Sequence, residues 1–424
     1  MNGLATMKTC HDSSSHFTPS AKDEKIYIVM AGLPARGKST VAFKLKECLE
    51  GDGIRTQIFN NGDLRRKLLR RNTSYAGFYD PKNAEGLALR EKFSRINIEK
   101  AKQYLKHNGQ VAILDATNVS VTRREKIASL LNNHPLLFIE CINDDPEILK
   151  ASIMKKITLP EFSHLSQEEA ISNFDQRILY YESIYGAFRD ERNYIKLDSL
   201  KNRVMEEVFS EDIYFYDRIR DVLGTDTVKN LFLIRHGETF YNLEDRIGGD
   251  PGLTDKGKAQ AEALARHFSK RQIPYIFTSQ KKRTIETAEP IRDLQKNCMI
   301  VPLAEFNEID SGVCECMSYE EIREKMPQVS QTRKEDKYNY IYPEGEGYVT
   351  MTERIDNGIK KALYLSSNAT HIMIIGHRAV NRMILSHFLY RREADVPYIY
   401  IPQDKFYHIA ATQDRKLFQL KSYG

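Results

Sequence analysis

Short apolar runs alternate with longer amphipathic stretches along most of this chain. Runs rich in Ile, Val, Leu and Phe predict strands at 26–31, 55–59, 111–114, 136–141 and 194–197. Between them apolar residues recur at helical spacing, and that spacing continues over 202–222 through Val204, Val208, Ile213, Phe215 and Ile219. A polar, aperiodic stretch at 224–230 predicts a domain boundary. Beyond it the spacing predicts strands at 231–234, 275–278 and 371–375 and helices at 254–270, 348–365 and 380–389. Strand alternating with helix is the signature of the α/β class, a mostly parallel sheet with helices on both faces. In such sheets the site lies beyond the carboxyl ends of the strands. Residues 1–22, rich in Ser, Thr, Lys and His, read as a flexible tail, which leaves units at 23–224 and 225–424.

Composition narrows the class. A chain of 424 residues suggests two or three domains, and 41% hydrophobic residues exclude a mostly disordered protein. A formal charge of +5 against 58 acidic residues is too mild to argue for nucleic-acid binding and suits small anionic substrates. Cys10, Cys48, Cys141, Cys298, Cys314 and Cys316 have neither disulfide nor zinc spacing and read as reduced thiols of a cytoplasmic protein. No apolar run is long enough to span a bilayer, so no membrane partner is expected.

The first strand runs into Gly32-Leu33-Pro34-Ala35-Arg36-Gly37-Lys38-Ser39, the pattern of a phosphate-cradling loop. Glycines let backbone N–H groups close on an anion, and the helix that follows adds its positive dipole end. Lys38 can reach the outer phosphates of ATP, and Ser39 offers a hydroxyl to the accompanying Mg2+. Asp115, ending the strand at 111–114, is the second candidate metal ligand. Arg65, Arg66, Arg90, Arg123 and Lys156 are candidate cations for a phosphorylated acceptor, although most such residues are solvated surface.

In the second half, the strand at 231–234 leads into Arg235-His236-Gly237. A strand-terminal imidazole is a competent nucleophile toward phosphorus, and the adjacent guanidinium can neutralise the group in transfer. Arg283 and His377 also follow strands, and Glu308 supplies a carboxyl for general acid work. Two His and a Glu could instead hold a metal, but the neighbouring arginines would repel a dication.

Taken together, GLPARGKS, FNNGDLRR, DATN, IKLDS, LIRHGE, RIGGDPGLTDKGK, TSQKKRTIETAE, NEIDSGVCE, DKYNYIYPEGE and GHRAV resemble the bifunctional 6-phosphofructo-2-kinase/fructose-2,6-bisphosphatases. The resemblance implies a phosphate-loop kinase domain followed by a phosphoglycerate-mutase-like histidine phosphatase domain. It implies ATP with Mg2+ for the kinase, no cofactor for the phosphatase, and a homodimer. By the same resemblance, Arg65 or Arg66, Arg90, Thr117, Arg123, Lys156, Arg177 and Tyr181 hold fructose 6-phosphate. His236 is the phosphorylated nucleophile, Glu308 the acid, and Arg235, Arg283 and His377 surround the phosphoryl group. Asn242, Gly248, Tyr319, Arg333, Lys337, Tyr338, Tyr342, Arg378 and Arg382 line the pocket for fructose 2,6-bisphosphate. The pattern departs from the family at Asn143, Gly376, Arg378 and Ser39, where relatives commonly carry Cys, Cys, Gln and Thr. The cation at Arg378 is expected to act on His377. Other readings are a different small-molecule kinase joined to the same phosphatase type, or a binding protein with degenerate sites. Intact Lys38, Asp115, His236, Glu308 and His377 argue against the second.

Overall fold

The computed structural model of the chain describes residues 24–69, 73, 75–367, 369–389, 391–412 and 415–423. The proposed tail at 1–22 and Cys10 lie outside them. Among the described residues the strands form two six-stranded sheets. The first contains β1 (Ile26–Ala31), β2 (Thr56–Asn60), β3 (Val111–Asp115), β4 (Leu136–Ile142), β5 (Tyr194–Asp198) and β6 (Arg203–Val208) in the order β2-β3-β1-β4-β5-β6. The second contains β7 (Val228–Arg235), β8 (Tyr275–Thr278), β9 (Met299–Pro302), β10 (Ile372–Gly376), β11 (Lys405–Ala411) and β12 (Lys416–Ser422) in the order β12-β11-β7-β10-β8-β9. Both are parallel except at one margin, where β6 runs antiparallel to β5, and β11 and β12 run antiparallel to β7 and to each other.

Each central strand is buried on both faces, which is why it reads as an unbroken apolar run. On β1, Ile26, Ile28 and Met30 pack against the Lys38–Gly51 helix through Val41 and Leu45, whereas Tyr27, Val29 and Ala31 pack on the opposite face with Ile98 and Leu105. On β7, Leu231 and Leu233 join one core while Phe232 and Ile234 join another. Each such side chain contributes about 1.5–3 kcal/mol when fully buried. The strand ends therefore present Asp115, Arg235 and His377, and the loop after β1 presents Lys38, at fixed positions.

The helix expected over 202–222 is corrected by the structure. Arg203–Val208 is a strand, and helix begins only at Tyr216, running to Gly224. The strand lies at the sheet margin, exposed along most of its length, so it shows no apolar alternation. The Val204/Val208 spacing therefore imitates a helix face. Strands β9, β11 and β12 likewise lie outside the stretches the sequence spacing predicts as strands.

The two halves touch closely. Lys361, on the Tyr348–Leu365 helix, places Nζ 2.8 Å from Glu147 of the first half and 2.6 Å from Glu305 of the second. Lys44 Nζ donates to the Thr225 carbonyl at 2.5 Å. The described cysteines form no disulfide, and no described helix is long and apolar enough to cross a membrane.

Candidate active sites

At the carboxyl edge of the first sheet lies a cavity of about 640 Å3 lined by Lys38, Ser39, Asp115, Lys156 and Arg177. Its floor is the loop between β1 and the Lys38–Gly51 helix. Gly32 (φ +125°) and Gly37 (φ +80°) lie in the region that favours glycine. A Cβ on Gly32 would meet the Cys141 carbonyl oxygen at 2.4 Å. The Gly32 N–H donates to the Thr117 carbonyl at 3.0 Å, and Lys38 Nζ donates to the Leu33 carbonyl at 2.6 Å. Burial lowers the Lys38 ammonium to about 8, against the opposing pull of Asp115. Pro34, Ala35, Arg36 and Gly37 line the cavity, but Gly32 and Leu33 shape the loop from behind.

The donor set fits a nucleotide with a divalent ion. Ser39 and Asp115 face one cavity and offer the oxygen ligands that Mg2+ prefers. Among the described residues, Arg36 Nη1 and Arg177 Nε are buried without a hydrogen-bond partner. Such guanidinium donors suit an anionic ligand. Asn60 Nδ2 donates to the Asp115 carboxylate and orients it.

The expected acceptor cations divide into two groups. Arg65 is held inside the protein, donating from Nη1 to the Thr73 carbonyl (2.8 Å) and the Tyr79 hydroxyl (2.6 Å), while Nη2 bonds to Glu161. Arg66 pairs with Asp63 and Glu161, Arg123 with Glu91, and Arg90 donates to the Phe78 carbonyl. All four line the cavity, and of these Arg65 has both Nη groups held by protein, whereas Arg90 is bonded through Nη1 and Arg123 through Nε and Nη1. Lys156 and Arg177 are differently placed. Burial lowers the Lys156 pKa, and the Arg177 guanidinium stacks 3.9 Å over the Tyr79 ring. Thr117 and Tyr181 complete that wall.

The second sheet carries a cavity of about 300 Å3 at the ends of β7 and β10. The rings of His236 and His377 lie 5.3 Å apart, centroid to centroid. Their hydrogen bonds define opposite tautomers. His236 Nδ1 lies 2.7 Å from the Gly237 carbonyl, so Nδ1 carries the proton and Nε2 keeps its lone pair. His377 Nδ1 accepts from Arg283 Nε at 3.2 Å, and Nε2–H then donates to Ser279 Oγ at 2.8 Å. Burial, followed by the charges of Arg283 and Arg235, holds His236 well below the usual imidazole range. Burial, Arg283 and His236 do the same to His377.

Around this pair, Glu308 lines the cavity and accepts the Arg378 backbone N–H at 3.1 Å. Arg235 is lowered to about 10 by burial and by Arg378, and its Nε is buried without a partner among the described residues. Asn242, Gly248, Tyr319, Arg333, Lys337, Tyr342, Arg378 and Arg382 all reach the cavity. Tyr338 does not. It stacks on Tyr348 within the apolar core, which corrects its expected place in the lining. Tyr348 lines the pocket instead, its hydroxyl accepting from Arg382 Nη1 at 2.9 Å. The Arg378 charge bears on His236 and Arg235, and Arg283 is the leading charge at His377. Two further groups carry no role in the sequence reading. Ser279 lies inside the TSQKKRTIETAE motif between a strand and a helix, and Gln403 donates to the His236 carbonyl (3.3 Å) and to Asn242 Oδ1 (2.9 Å) from an irregular segment.

A phosphate-loop fold in one half and a strand-terminal histidine pair in the other define a kinase joined to a histidine phosphatase. The family model for 6-phosphofructo-2-kinase matches residues 13–227, and that for the histidine phosphatase superfamily (branch 1) matches residues 231–423. The chain is 34% identical over 403 residues to 6-phosphofructo-2-kinase/fructose-2,6-bisphosphatase 3 of Homo sapiens, covering 91% of this chain and 74% of that protein. It is 35% identical over 390 residues to isoform 4 of Homo sapiens, covering 88% and 80%. Isoform 1 of Bos taurus is 34% identical over 421 residues, covering 95% and 84%. The chain belongs to the bifunctional 6-phosphofructo-2-kinase/fructose-2,6-bisphosphatase family.

Proposed function

We propose that the first half transfers the γ-phosphoryl group of ATP to the 2-hydroxyl of fructose 6-phosphate, and that the second half hydrolyses the 2-phosphate of the product. In the first half, the loop N–H groups, Lys38 and Arg36 bind the triphosphate. Ser39 and Asp115 would hold Mg2+, which when bound offsets charge on the phosphate oxygens. Lys156 and Arg177, with Arg66, Arg90 and Arg123 of the same cavity, are the cations that would hold the sugar's 6-phosphate, whereas both Nη groups of Arg65 are already held by Thr73, Tyr79 and Glu161.

In the second half, His236 Nε2 attacks the 2-phosphorus and the bond to the sugar oxygen breaks. Glu308, in its acid form, protonates that oxygen as it leaves. Water then attacks the phosphorus, the N–P bond breaks to free phosphate and return the lone pair to His236 Nε2, and the Glu308 carboxylate takes the water's proton. Arg235 and Arg283 offset charge on the phosphoryl oxygens. The single observation that supports this reading is the tautomer of His236, whose Nδ1–H···O=C bond leaves Nε2 unprotonated in a pocket rich in cations. The family further suggests a cytoplasmic homodimer.

Separation of the activities tests the proposal. Lys38→Ala is expected to abolish synthesis of fructose 2,6-bisphosphate and leave its hydrolysis intact, and His236→Ala to do the reverse. Loss of both activities in either variant would contradict it.

A further inference from the structure

The nucleotide cavity is not built from the kinase half alone. Tyr364, Leu365 and Ser367, at the end of the Tyr348–Leu365 helix, line it together with Lys38 and Ser39. Tyr364 Oη donates to the carbonyl of Ala35 at 3.1 Å. A Cβ on Gly37 would come within 3.0 Å of the Tyr364 ring, so glycine is what lets the ring approach. Ser367 Oγ lies 3.1 Å from Thr40 Oγ1, one residue past Ser39. Lys155 of the kinase half donates back to the Leu365 and Ser367 carbonyls at 3.3 and 3.4 Å.

We propose that Tyr364, carried by the phosphatase half, is a positioning residue for the nucleotide loop, so that ATP affinity depends on the second domain. This rests on the kinase reading above. The physical reason is the geometry an anion cradle needs. Its N–H groups must turn inward, which requires its carbonyls to be held outward. Two consecutive carbonyls are held in this loop. That of Arg36 accepts from Ser199 Oγ at 2.9 Å, a residue of the kinase half. That of Ala35 accepts from Tyr364. Ala35 is also the loop's non-glycine residue in the left-handed region (φ +61°), a conformation its Cβ disfavours and that outside support must maintain.

The test uses the full chain and MgATP as the titrant in isothermal titration calorimetry, with Tyr364→Phe and Ser367→Ala as variants. Loss of one neutral hydrogen bond predicts that Tyr364→Phe weakens ATP binding about two- to tenfold. Fructose 6-phosphate affinity and bisphosphatase turnover should stay at the parental values, which merely structural damage would not allow. Ser367→Ala should weaken ATP binding in the same direction and serves if Tyr364→Phe fails to fold. Parental ATP affinity in both variants overturns the proposal and leaves the kinase reading standing. So does a loss shared equally by ATP binding, fructose 6-phosphate binding and bisphosphatase turnover. A parent that does not bind ATP sinks both.

Discussion

Replacing Arg283 by Gln removes the group that holds the two phosphatase imidazoles in their working state. The side chain is 5% exposed, donates from Nε to His377 Nδ1 at 3.2 Å and from Nη1 to the Gly249 carbonyl at 3.0 Å. It is also the largest charge that disfavours protonation of His236 and of His377. Loss of one charge-assisted hydrogen bond is worth about 1.5–3 kcal/mol, and each 1.4 kcal/mol is about tenfold in rate. The kcat/KM for fructose 2,6-bisphosphate should therefore fall about ten- to hundredfold at neutral pH, with kinase activity unchanged. The sign of the pH effect follows from the same charge. Without Arg283 the His236 pKa rises toward its ordinary value, and attack requires the neutral ring. The deficit should thus deepen as pH is lowered from about 8 to about 6. Initial rates of phosphate release across that range provide the assay. A deficit independent of pH, or a kcat/KM within threefold of the parent (roughly 0.6 kcal/mol), would rule out this role for Arg283.

Other perturbations have equally definite outcomes. His236 and His377 are held well below the usual imidazole range in the folded protein, while the unfolded chain takes up protons near pH 6.5, so their contribution to stability is present above that pH and lost below it. The loss should approach about 1.4 kcal/mol per pH unit per ring, and urea midpoints of the phosphatase half that do not fall on acidification would contradict it. Gly32→Ala places a Cβ 2.4 Å from the Cys141 carbonyl oxygen at φ +125°, a strain of about 1–3 kcal/mol. Calorimetry should show ATP binding reduced at least about tenfold with hydrolysis spared. Arg378→Gln removes an exposed cation from the bisphosphate pocket, and its KM should rise about two- to fivefold. Steady-state rates equal to the parent would count against that assignment.

Much of this was legible from residue types because central parallel strands are apolar on both faces. The run Ile26 to Ala31 and the run Leu231 to Ile234 announce themselves, and the residues at their ends carry the chemistry. Marginal strands lack that signal. Arg203–Val208 is exposed along most of its length and its valines fall at helical spacing, so pairing with β5 alone makes it a strand. Residue type also cannot reveal whether a guanidinium is already engaged. Arg65 and Arg177 look alike in sequence, yet one is held by Thr73, Tyr79 and Glu161 while the other keeps Nε without a partner among the described residues. Tyr364 meeting Ala35 is a contact across 329 positions, beyond the reach of local pattern.

Hydrolysis passes through a bond between phosphorus and His236 Nε2 in the proposed function. This step is tested most directly by mixing the protein with fructose 2,6-bisphosphate labelled at the 2-phosphate, quenching in alkali within one turnover, and locating the label by peptide mapping. Acid-labile, alkali-stable label is expected on His236 and is expected to be absent from His236→Ala. Turnover of the parent with no label on the protein, or label on His377 instead, would contradict it.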